Sequence, residues 1–309
     1  MLNLIIITGG AGFIGSHLAD RLGNVKILDN LSSGRIENIK SHNFLYIDLK
    51  NFEDLLKAIE ETETIFHFAA NPEVRVSTIN PEIHFNENIV ATFNLLEAMR
   101  RKDVKEIVFA SSSSVYGEPD YIPVNENASI KPISIYGASK ASCENLIHAY
   151  SKLYGIKAII LRYANVVGPR LRHGVVYDFL IKLMKNSKIL EILGDGNQIR
   201  SYIHIEDAID ATIIAWKNSS RNFEVYNIGN EDWISVNDVA KITLEVLGLK
   251  NTNFIYKPIL NGIGWLGDVK CIALSIEKIK SLGWKPKMNS KEALIKTIHS
   301  LLNELKNKN

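Results

Sequence analysis

The sequence contains few cysteines, little net charge and no long apolar run. Its 2 cysteines, Cys143 and Cys271, lie far apart without metal-ligand spacing, so we expect neither a disulfide framework nor a metal site. With 36 Lys and Arg against 34 Asp and Glu, the net charge is +2, and nucleic acid is not an expected partner. The apolar segment 2–8 breaks at Gly9, far short of a membrane span. These absences predict a cytoplasmic protein without a membrane partner.

The chain instead alternates short, β-rich apolar segments with helical patterns. The predicted strands lie at residues 2–8, 25–29, 43–49, 64–69, 106–112, 157–163 and 224–229. Continuously apolar strands separated by helices indicate an α/β protein with a doubly wound parallel sheet, covered on both faces. We predict this sheet domain in residues 1–168 together with about 203–229. Residues of about 169–202 and 230–309 are richer in turn signals, and they predict a smaller C-terminal α/β lobe.

The glycine-rich segment at 8–15, TGGAGFIG, follows the first predicted strand and opens a helix. Gly9 permits the tight turn, Gly12 lets the backbone approach a pyrophosphate, and Gly15 allows close packing of helix on strand. The helix N-terminus adds N–H donors and a positive dipole that suit phosphate groups. Glycine-rich turns are common, but the order of strand, turn and helix is that of a dinucleotide fingerprint. We therefore predict a Rossmann-type domain.

Asp29 ends the second predicted strand and decides which dinucleotide is expected. A carboxylate here can accept hydrogen bonds from both adenosine ribose hydroxyls, and it repels a 2′-phosphate, so NAD is favoured over NADP. Arg35, in the following loop, is the one feature that could soften this preference. The alternative for Asp29 is a solvated residue at a strand end.

Further predicted cofactor contacts lie at the carboxyl ends of strands, where open α/β sheets bind ligands. Asp48 and Leu49, at the end of the third strand, could flank an adenine ring. Ala69 and Ala70, in the segment HFAAN at 67–71, would allow the backbone to approach the middle of the cofactor.

Tyr136 and Lys140 are four residues apart, so on a helix they share one face. A free tyrosine has a pKa near ~10 and is a poor base at neutral pH. An adjacent ammonium and a cationic nicotinamide ring would each stabilise the phenolate and lower that pKa. The same spacing occurs by chance on many amphipathic helices. The serine-rich strand end at 111–114 and the dinucleotide loop favour the catalytic interpretation.

Seven segments carry a resemblance to a known family. They are TGGAGFIGSH, DNLSSG, HFAAN, SSSSVYG, YGASK, RYANVVGPR and RSYIHIEDA. In order and spacing they resemble the extended short-chain dehydrogenase/reductases of the NAD-dependent epimerase/dehydratase family, from residue 4 to about 286. Within that family the chain is most similar to the compact archaeal UDP-glucose 4-epimerase type.

The resemblance implies roles for individual residues. Tyr136 is the acid and base, Lys140 its partner, and Ser112 the catalytic serine. Asn88 matches an asparagine that borders the cofactor, although a polar helix position is an equal alternative. The further cofactor residues it implies are Phe13, Ile14, Asn30, Leu31, Ser32, Ser33, Gly34, Phe68, Ser111 and Ala164. The substrate residues it implies are Ser112, Ser113, Tyr136, Asn165, His173, Val175, Arg200 and Asp268. For Arg200, a surface arginine that pairs with a nearby aspartate is the alternative.

Two departures from the family pattern carry information. Relatives that eliminate water have an Asp-Glu pair after the catalytic Thr, because the elimination needs an acid and a base. Ser113 and Ser114 stand there instead, which disfavours a dehydratase and also a decarboxylating enzyme. Many relatives also have a phosphate-binding arginine near the C-terminus, where this chain reads NGIGWLGD. Arg170 and Arg172 are candidates to replace it.

The resemblance therefore implies a UDP-glucose 4-epimerase with a UDP-hexose substrate, an NAD cofactor and a transient 4-keto sugar. The C-terminal lobe would bind the nucleotide sugar. Two long helices would pack across a two-fold axis into a homodimer, unless their apolar faces only cover the core of a monomer. An epimerase or reductase for another nucleotide sugar stays open. So does a non-catalytic dinucleotide sensor, although such proteins typically lose the tyrosine or the lysine.

Overall fold

The computed structural model of the protein describes residues 4–39 and 42–306. The strands are β1 (Leu4–Thr8), β2 (Lys26–Asp29), β3 (Asn43–Tyr46), β4 (Thr62–His67), β5 (Glu106–Ser112), β6 (Lys157–Tyr163), β7 (Asn165–Val167), β8 (Ile189–Leu193), β9 (Ile199–Arg200), β10 (Tyr202–His204), β11 (Phe223–Ile228), β12 (Ile234–Ser235), β13 (Asn253–Lys257) and β14 (Cys271–Ile272). The α-helices are α1 (Phe13–Leu22), α2 (Phe52–Ala58), α3 (Glu82–His84), α4 (Ala91–Lys102), α5 (Ile135–Tyr154), α6 (Gly174–Lys185), α7 (Ile205–Asn218), α8 (Val236–Leu247), α9 (Glu277–Lys280) and α10 (Ser290–Lys306).

The chain divides into two compact units, each made of several segments. The first unit extends to Val115 and adds Ile135–Arg162 and Thr212–Tyr226. The second unit takes Tyr116–Ser134, Tyr163–Ala211 and the chain from Asn227 onward. The domain boundaries that we drew from the sequence stay a prediction.

The central sheet has seven strands in the order β11-β6-β5-β4-β1-β2-β3. Its strands are parallel, which confirms the predicted doubly wound α/β fold of Rossmann type. The direction of strand order reverses between β4 and β1. In an open parallel sheet, ligands bind beside such a reversal, at the carboxyl ends of the strands.

Apolar side chains on the strands pack against the covering helices. Leu28, Ile65 and Phe109 are at most 1% exposed, and Leu95 and Met99 of α4 are fully buried in the same cluster. Branched and aromatic residues suit a pleated surface that is buried on both faces, which explains the apolar runs in the sequence. This packing fixes the strand ends that carry the predicted site.

Two predicted elements differ from the structure. The third strand ends at Tyr46 instead of residue 49, because the Asp48 carboxylate accepts the Lys50 N–H at 2.9 Å and forms a turn. Asp48 and Leu49 therefore follow the strand. The helical pattern between the fourth and fifth predicted strands is not one α-helix but three pieces, namely α3, a π-helical segment over Phe85–Val90, and α4. Residues 2 and 3 of the first predicted strand lie outside the described residues.

The second unit has short sheets and three packed helices. β7 pairs with β10, β8 with β13, and β9 lies between β12 and β14. α10 packs on β10, α8 and α6. α8 begins with a reciprocal capping box, in which Ser235 accepts the Asp238 N–H at 3.1 Å and Asp238 accepts the Ser235 N–H at 3.2 Å.

Candidate dinucleotide and catalytic site

The glycine loop that follows β1 has no room for a side chain at two of its positions. Gly9 has a φ of +70°, and a Cβ there would lie 2.5 Å from the Ala69 backbone nitrogen. A Cβ on Gly15 would overlap the Gly9 carbonyl oxygen. Gly12 precedes α1 in an extended conformation with no side-chain cap, and Phe13 and Ile14 begin the helix. The start of α1 therefore has no capping side chain over its backbone N–H groups, and such a helix N-terminus suits a pyrophosphate.

Asp29 lies directly beside this loop. Its Oδ2 accepts the Ala11 N–H at 3.0 Å, and its Oδ1 accepts the Leu31 N–H at 2.8 Å. Burial raises the pKa of Asp29, and the two backbone hydrogen bonds act in the opposite direction. Each carboxylate oxygen has a second lone pair, so the group can also accept ribose hydroxyls. These residues fit an adenine dinucleotide.

The loop after β2 folds around Asp29 and Asp48. The Gly34 backbone lies so close to Asp29 that a Cβ would be 2.8 Å from Oδ1. Asn30 donates to Asp48 Oδ2 at 3.4 Å and accepts the Ser32 N–H at 3.1 Å. Ser32 and Ser33 are exposed, whereas Leu49 is buried. The predicted adenosine contacts therefore lie within one connected loop region.

The end of β4 is fixed to β1 by a buried histidine. His67 is fully buried and lies 2.7 Å from Thr8 Oγ1 through Nδ1 and 2.9 Å from Thr92 Oγ1 through Nε2. Phe68 N–H donates to the Thr8 carbonyl at 3.0 Å, and Ala69 N–H to Thr8 Oγ1 at 3.4 Å. The small residues Ala69 and Ala70 thus follow a strand end that is held against the glycine loop.

Asn88 lies in the π-helical segment and is 1% exposed. Its Oδ1 accepts the Asn71 N–H and its Nδ2 donates to Ser139 Oγ, both at 2.8 Å. Segments of π-helix occur frequently at functional sites. Asn88 therefore connects the loop after β4 to α5, and its contact with the cofactor stays a prediction.

Ser112, Tyr136 and Lys140 belong to the same unit and come from β5 and α5. Burial raises the pKa of Tyr136 to about 12, and a hydrogen bond with Ser112 acts in the opposite direction. Lys140 donates to the Ala110 carbonyl at 2.8 Å, and its ammonium lies 4.8 Å from the Phe109 ring centroid. Burial lowers the pKa of Lys140 to about 8. That Lys140 together with a cationic nicotinamide ring lowers the pKa of Tyr136 stays a prediction.

The four serines have different surroundings. Ser111 is buried and donates to Glu144, whose carboxylate also pairs with Arg162 at 2.6 Å. Ser112 Oγ donates to Ser114 Oγ at 3.0 Å and accepts the Ser114 N–H at 3.2 Å. Ser113 opens the 3₁₀ turn Ser113–Tyr116 and is partly exposed. Ser111 thus faces the interior of the unit, and its predicted contact with the cofactor remains untested.

Sequence reasoning missed Glu144 and Arg162, which are each 4% exposed. Two signals could have found them. Glu144 follows Lys140 by four residues and so shares its helix face. Arg162 interrupts an otherwise apolar strand, and a charge in such a place requires a partner.

The predicted substrate residues of the second unit have partners of their own. Arg200 donates to Asp268 Oδ1 at 2.8 Å and to the carbonyls of residues 199, 269 and 270. Asp268 also accepts the Gly264 N–H at 3.1 Å, and burial raises its pKa although Arg200 opposes the shift. Asn165 donates to the Ser201 carbonyl at 3.3 Å. The four hydrogen bonds of Arg200 orient its guanidinium and use its Nη1 and Nη2 donors, so the Nε–H is the donor left for a further partner.

The remaining second-unit residues lie near helix and strand ends. Ala164 N–H donates to the Ile228 carbonyl at 2.7 Å. His173 occupies the cap position of α6, and Val175 lies in its first turn. Arg172, a candidate to replace the missing phosphate arginine, forms an ion pair with Glu304. The Arg170 N–H donates to the same glutamate at 2.8 Å.

Among residues 4–39 and 42–306, no three or more His, Cys, Asp or Glu side chains group in a way that could hold a metal ion. Within those same ranges, no helix has the length and apolar character to cross a membrane.

A family model described as "NAD dependent epimerase/dehydratase family" matches residues 5–229. A putative UDP-glucose 4-epimerase of Methanocaldococcus jannaschii is 41% identical over 97% of this chain and 99% of its own length. The chain belongs to the NAD-dependent epimerase/dehydratase family. The predictions of an enzyme, of an isomerase and of NAD as the cofactor are thereby confirmed.

Solved structures agree with this assignment. A crystal structure of a UDP-galactose 4-epimerase is 47% identical, with a TM-score of 0.89 over 97% of this chain and 99% of that one. A UDP-glucose 4-epimerase from Thermotoga maritima with UDP-glucose is 34% identical, with the same TM-score and coverage. A UDP-N-acetylglucosamine 4-epimerase from Methanobrevibacter ruminantium is 30% identical, with a TM-score of 0.87 over 98% and 99% of the two chains. The relatives thus differ in the sugar that their names give.

Proposed function

We propose that the protein is a UDP-glucose 4-epimerase, which interconverts UDP-glucose and UDP-galactose through a 4-keto sugar. The observation that carries this proposal is the convergence of Ser112, Tyr136 and Lys140 in the unit that contains the dinucleotide loop. Ser113 and Ser114 support it, because neither can act as the carboxyl acid or base that an elimination needs.

The residues present fit NAD, which when bound would accept a hydride from the sugar carbon and return it. Tyr136 would remove the proton of the sugar 4-hydroxyl and later restore it. With a pKa of about 12 in the protein alone, the phenol is protonated at neutral pH. A positive charge near its oxygen favours the phenolate, so a basic Tyr136 is expected with the oxidised cofactor bound.

Ser112 and Lys140 would assist Tyr136 in separate ways. Ser112 already forms a hydrogen bond with the phenol, so it can hold the substrate oxygen or pass its proton. Lys140 is held by the Ala110 carbonyl, and with a pKa of about 8 it is mostly charged at neutral pH. Its ammonium can orient the nicotinamide ribose by hydrogen bonding.

For the nucleotide part of the substrate, we propose Asn165, His173, Val175, Arg200 and Asp268 as contacts. Arg200 would bind the diphosphate, and Asp268 would hold its guanidinium in place, since the two already form an ion pair. The Nη groups of Arg200 already donate to Asp268 and to backbone carbonyls, so its Nε–H would be the donor to a phosphate oxygen. An epimerase or reductase for another nucleotide sugar is the alternative, supported by the varied sugars in the relatives' names.

A homodimer in the cytoplasm completes the proposal. α4 and α5 expose large apolar side chains on the same unit, with Phe93 at 45%, Leu153 at 72% and Tyr154 at 51% exposure. Exposed apolar surface of this kind favours association. Two such faces related by a two-fold axis would bury each other.

The test is to incubate the purified protein with UDP-galactose, without added cofactor, and to separate the products. UDP-glucose should form, and Tyr136→Phe should abolish it while the protein stays folded. If the protein is inactive on every UDP-hexose, with and without added NAD, yet binds NAD tightly, the epimerase proposal is overturned and a dinucleotide sensor is favoured.

A further inference from the structure

Tyr136 is contacted from outside its own helix by two side chains that the proposed reaction does not use. Ser77 Oγ accepts the Tyr136 backbone N–H at 3.2 Å. The His84 ring meets the Tyr136 ring at a centroid distance of 5.6 Å and an interplanar angle of 68°. Both residues come from the segment between β4 and α4, and they lie in the same unit as Tyr136.

The Ser77 contact fixes the start of the catalytic helix. Tyr136 is the second residue of α5, and N–H groups in the first turn of a helix have no partner within the helix. They are normally satisfied by a cap close in sequence, whereas Ser77 lies 59 residues away. The bond thus joins the Val74–Thr78 turn to the backbone of the tyrosine.

The His84 contact fixes the ring. His84 is fully buried, and an edge-to-face pair restricts the tilt of both rings. Its Nδ1 lies 3.5 Å from Asn88 Nδ2, which donates to Ser139 Oγ, and that hydroxyl donates to the Tyr136 carbonyl at 2.8 Å. His84 therefore contacts Tyr136 directly and is also linked to its backbone.

The imidazole is neutral in this setting. Burial lowers the pKa of His84, and the positive Lys140 adds to this effect. The other charged group facing the imidazole is Glu73, which opposes the shift through its backbone and its carboxylate. A neutral ring can pack against a phenol without adding a charge to it, so its contribution is one of position.

We propose that Ser77 and His84 are positioning residues, which hold the Tyr136 phenol in the orientation that proton transfer to and from the sugar requires. The inference rests on the proposed function for its kinetic consequence, but the placement of the ring can be measured without any reaction. Misplacing a reacting group by about 1 Å can reduce a rate up to ~100-fold, so a modest loss of restraint is detectable.

The kinetic test compares four variants with the unmodified protein. His84→Ala should lower kcat about tenfold with KM for UDP-galactose within about twofold, because the substrate contacts are untouched. His84→Phe keeps an edge-to-face ring and should restore most of the loss. Ser77→Ala should lower kcat about threefold, whereas the neighbouring Thr78→Ala should not, since the Thr78 hydroxyl donates to the Arg75 carbonyl within its own turn.

The second readout is the titration of Tyr136 by NMR of protein labelled with ¹³Cζ tyrosine, with the resonance assigned by Tyr136→Phe. Burial is the main cause of the pKa of about 12, so the space left by His84→Ala should admit water and lower that pKa. His148→Ala, which removes another ring contact on α5, is the matched control and should leave it unchanged.

Unchanged kcat and an unchanged Tyr136 resonance in both His84→Ala and Ser77→Ala would overturn the inference. Should the unmodified protein have no epimerase activity, the proposed function fails, yet the NMR comparison still decides the placement of the ring. Ser77 is partly exposed, so its variant should fold even if His84→Ala does not.

Discussion

His67 is a fully buried imidazole that lies between the hydroxyls of Thr8 and Thr92. Burial lowers its pKa to about 3, and the charge of Lys140 acts in the same direction. In the unfolded chain this histidine has a pKa near ~6.5, whereas in the folded protein it takes up a proton only at far lower pH. Between these values the unfolded state binds one more proton, so the stability of the fold decreases as the pH falls.

We therefore predict that acid destabilises the protein through His67. Between pH 7 and 4.5 its contribution to the free energy of unfolding should fall by up to about 3 kcal/mol. His67→Gln, which keeps a hydrogen-bonding side chain, should be less stable at pH 7 but should lose less on acidification. Urea unfolding of both proteins at the two pH values measures this, and equal losses would contradict it.

Gly9 gives the second prediction at this scale. Gly9→Ala should destabilise the fold by about 2 kcal/mol or more and weaken NAD binding, because the methyl group would meet the backbone of Ala69 in a left-handed conformation. Gly23→Ala is the control, with a φ of +82° but nothing within 4 Å of the new methyl group. Gly23→Ala should lower the free energy of unfolding by only about 1 kcal/mol and leave the affinity for NAD unchanged. Calorimetric titration with NAD measures the affinity of each variant. Equal affinities for Gly9→Ala and Gly23→Ala would count against this role for Gly9.

Single residues differ in how far the sequence reveals them. Gly9 and Asp29 could be predicted because their roles follow from backbone geometry and from position at a strand end. The partners of Ser111 could not, because an alternating strand does not tell which serine of a run faces the interior. The raised pKa of Tyr136 also needed the structure, since burial depends on residues such as His84 that are distant in sequence.

At the scale of elements, β5, α5 and β6 are joined by one buried group of side chains. Ser111 of β5 donates to Glu144 of α5, which pairs with Arg162 of β6. Arg162 provides two donors to the carboxylate, from Nε at 3.0 Å and from Nη2 at 2.6 Å. The strand that carries Ser112 is thereby fixed to the helix that carries Lys140.

Arg162→Met should be strongly destabilising, by about 3–5 kcal/mol, because it leaves the Glu144 carboxylate buried without its cation. Adding Glu144→Leu should recover much of that loss, since the double variant contains no buried charge in this group. Arg100→Met is the surface control and should cost at most about 1 kcal/mol, as its partner Glu97 remains accessible to water. Thermal unfolding measures the stability of all three variants. If Arg162→Met loses no more stability than Arg100→Met, the interpretation is contradicted.

Elements were predicted well where packing on both faces enforces the pattern. The bounds of β5 and β6 are those read from the sequence. The π-helical segment could not be foreseen, because its six residues, Phe85–Val90, are too few to show a period of their own in the sequence. β3 lies at the edge of the sheet, where the Asp48 turn ends it before its apolar pattern does.

At the scale of the whole molecule, the proposed homodimer gives a direct prediction. Phe93→Asp together with Leu153→Asp should produce monomers, because both place a charge on the exposed apolar faces of α4 and α5. Leu260→Asp, at a residue 71% exposed in the second unit, should leave the dimer intact. Light scattering after size-exclusion chromatography measures the mass, and a monomeric unmodified protein would contradict the dimer itself.

The fold class followed from the order of apolar strands and helices, whereas the contacts that group distant segments into units could not be read from that order. The contacts group Tyr116–Ser134 with the second unit. Tyr116 donates to Asn227 at 2.7 Å and Val124 N–H to the Ala273 carbonyl at 2.8 Å, more than 100 residues apart. Such distant contacts leave no periodic signal in a single sequence.

The interleaving of the two units also bears on how the protein forms during synthesis. The first unit takes its last segment from Thr212–Tyr226, and β11 stands at the edge of its sheet. When residues 1–115 have emerged from the ribosome, the first unit therefore still lacks strands of its sheet. The glycine loop, Asp29 and the serine run are all made early, yet the sheet that holds them is complete only when nearly three quarters of the chain has emerged.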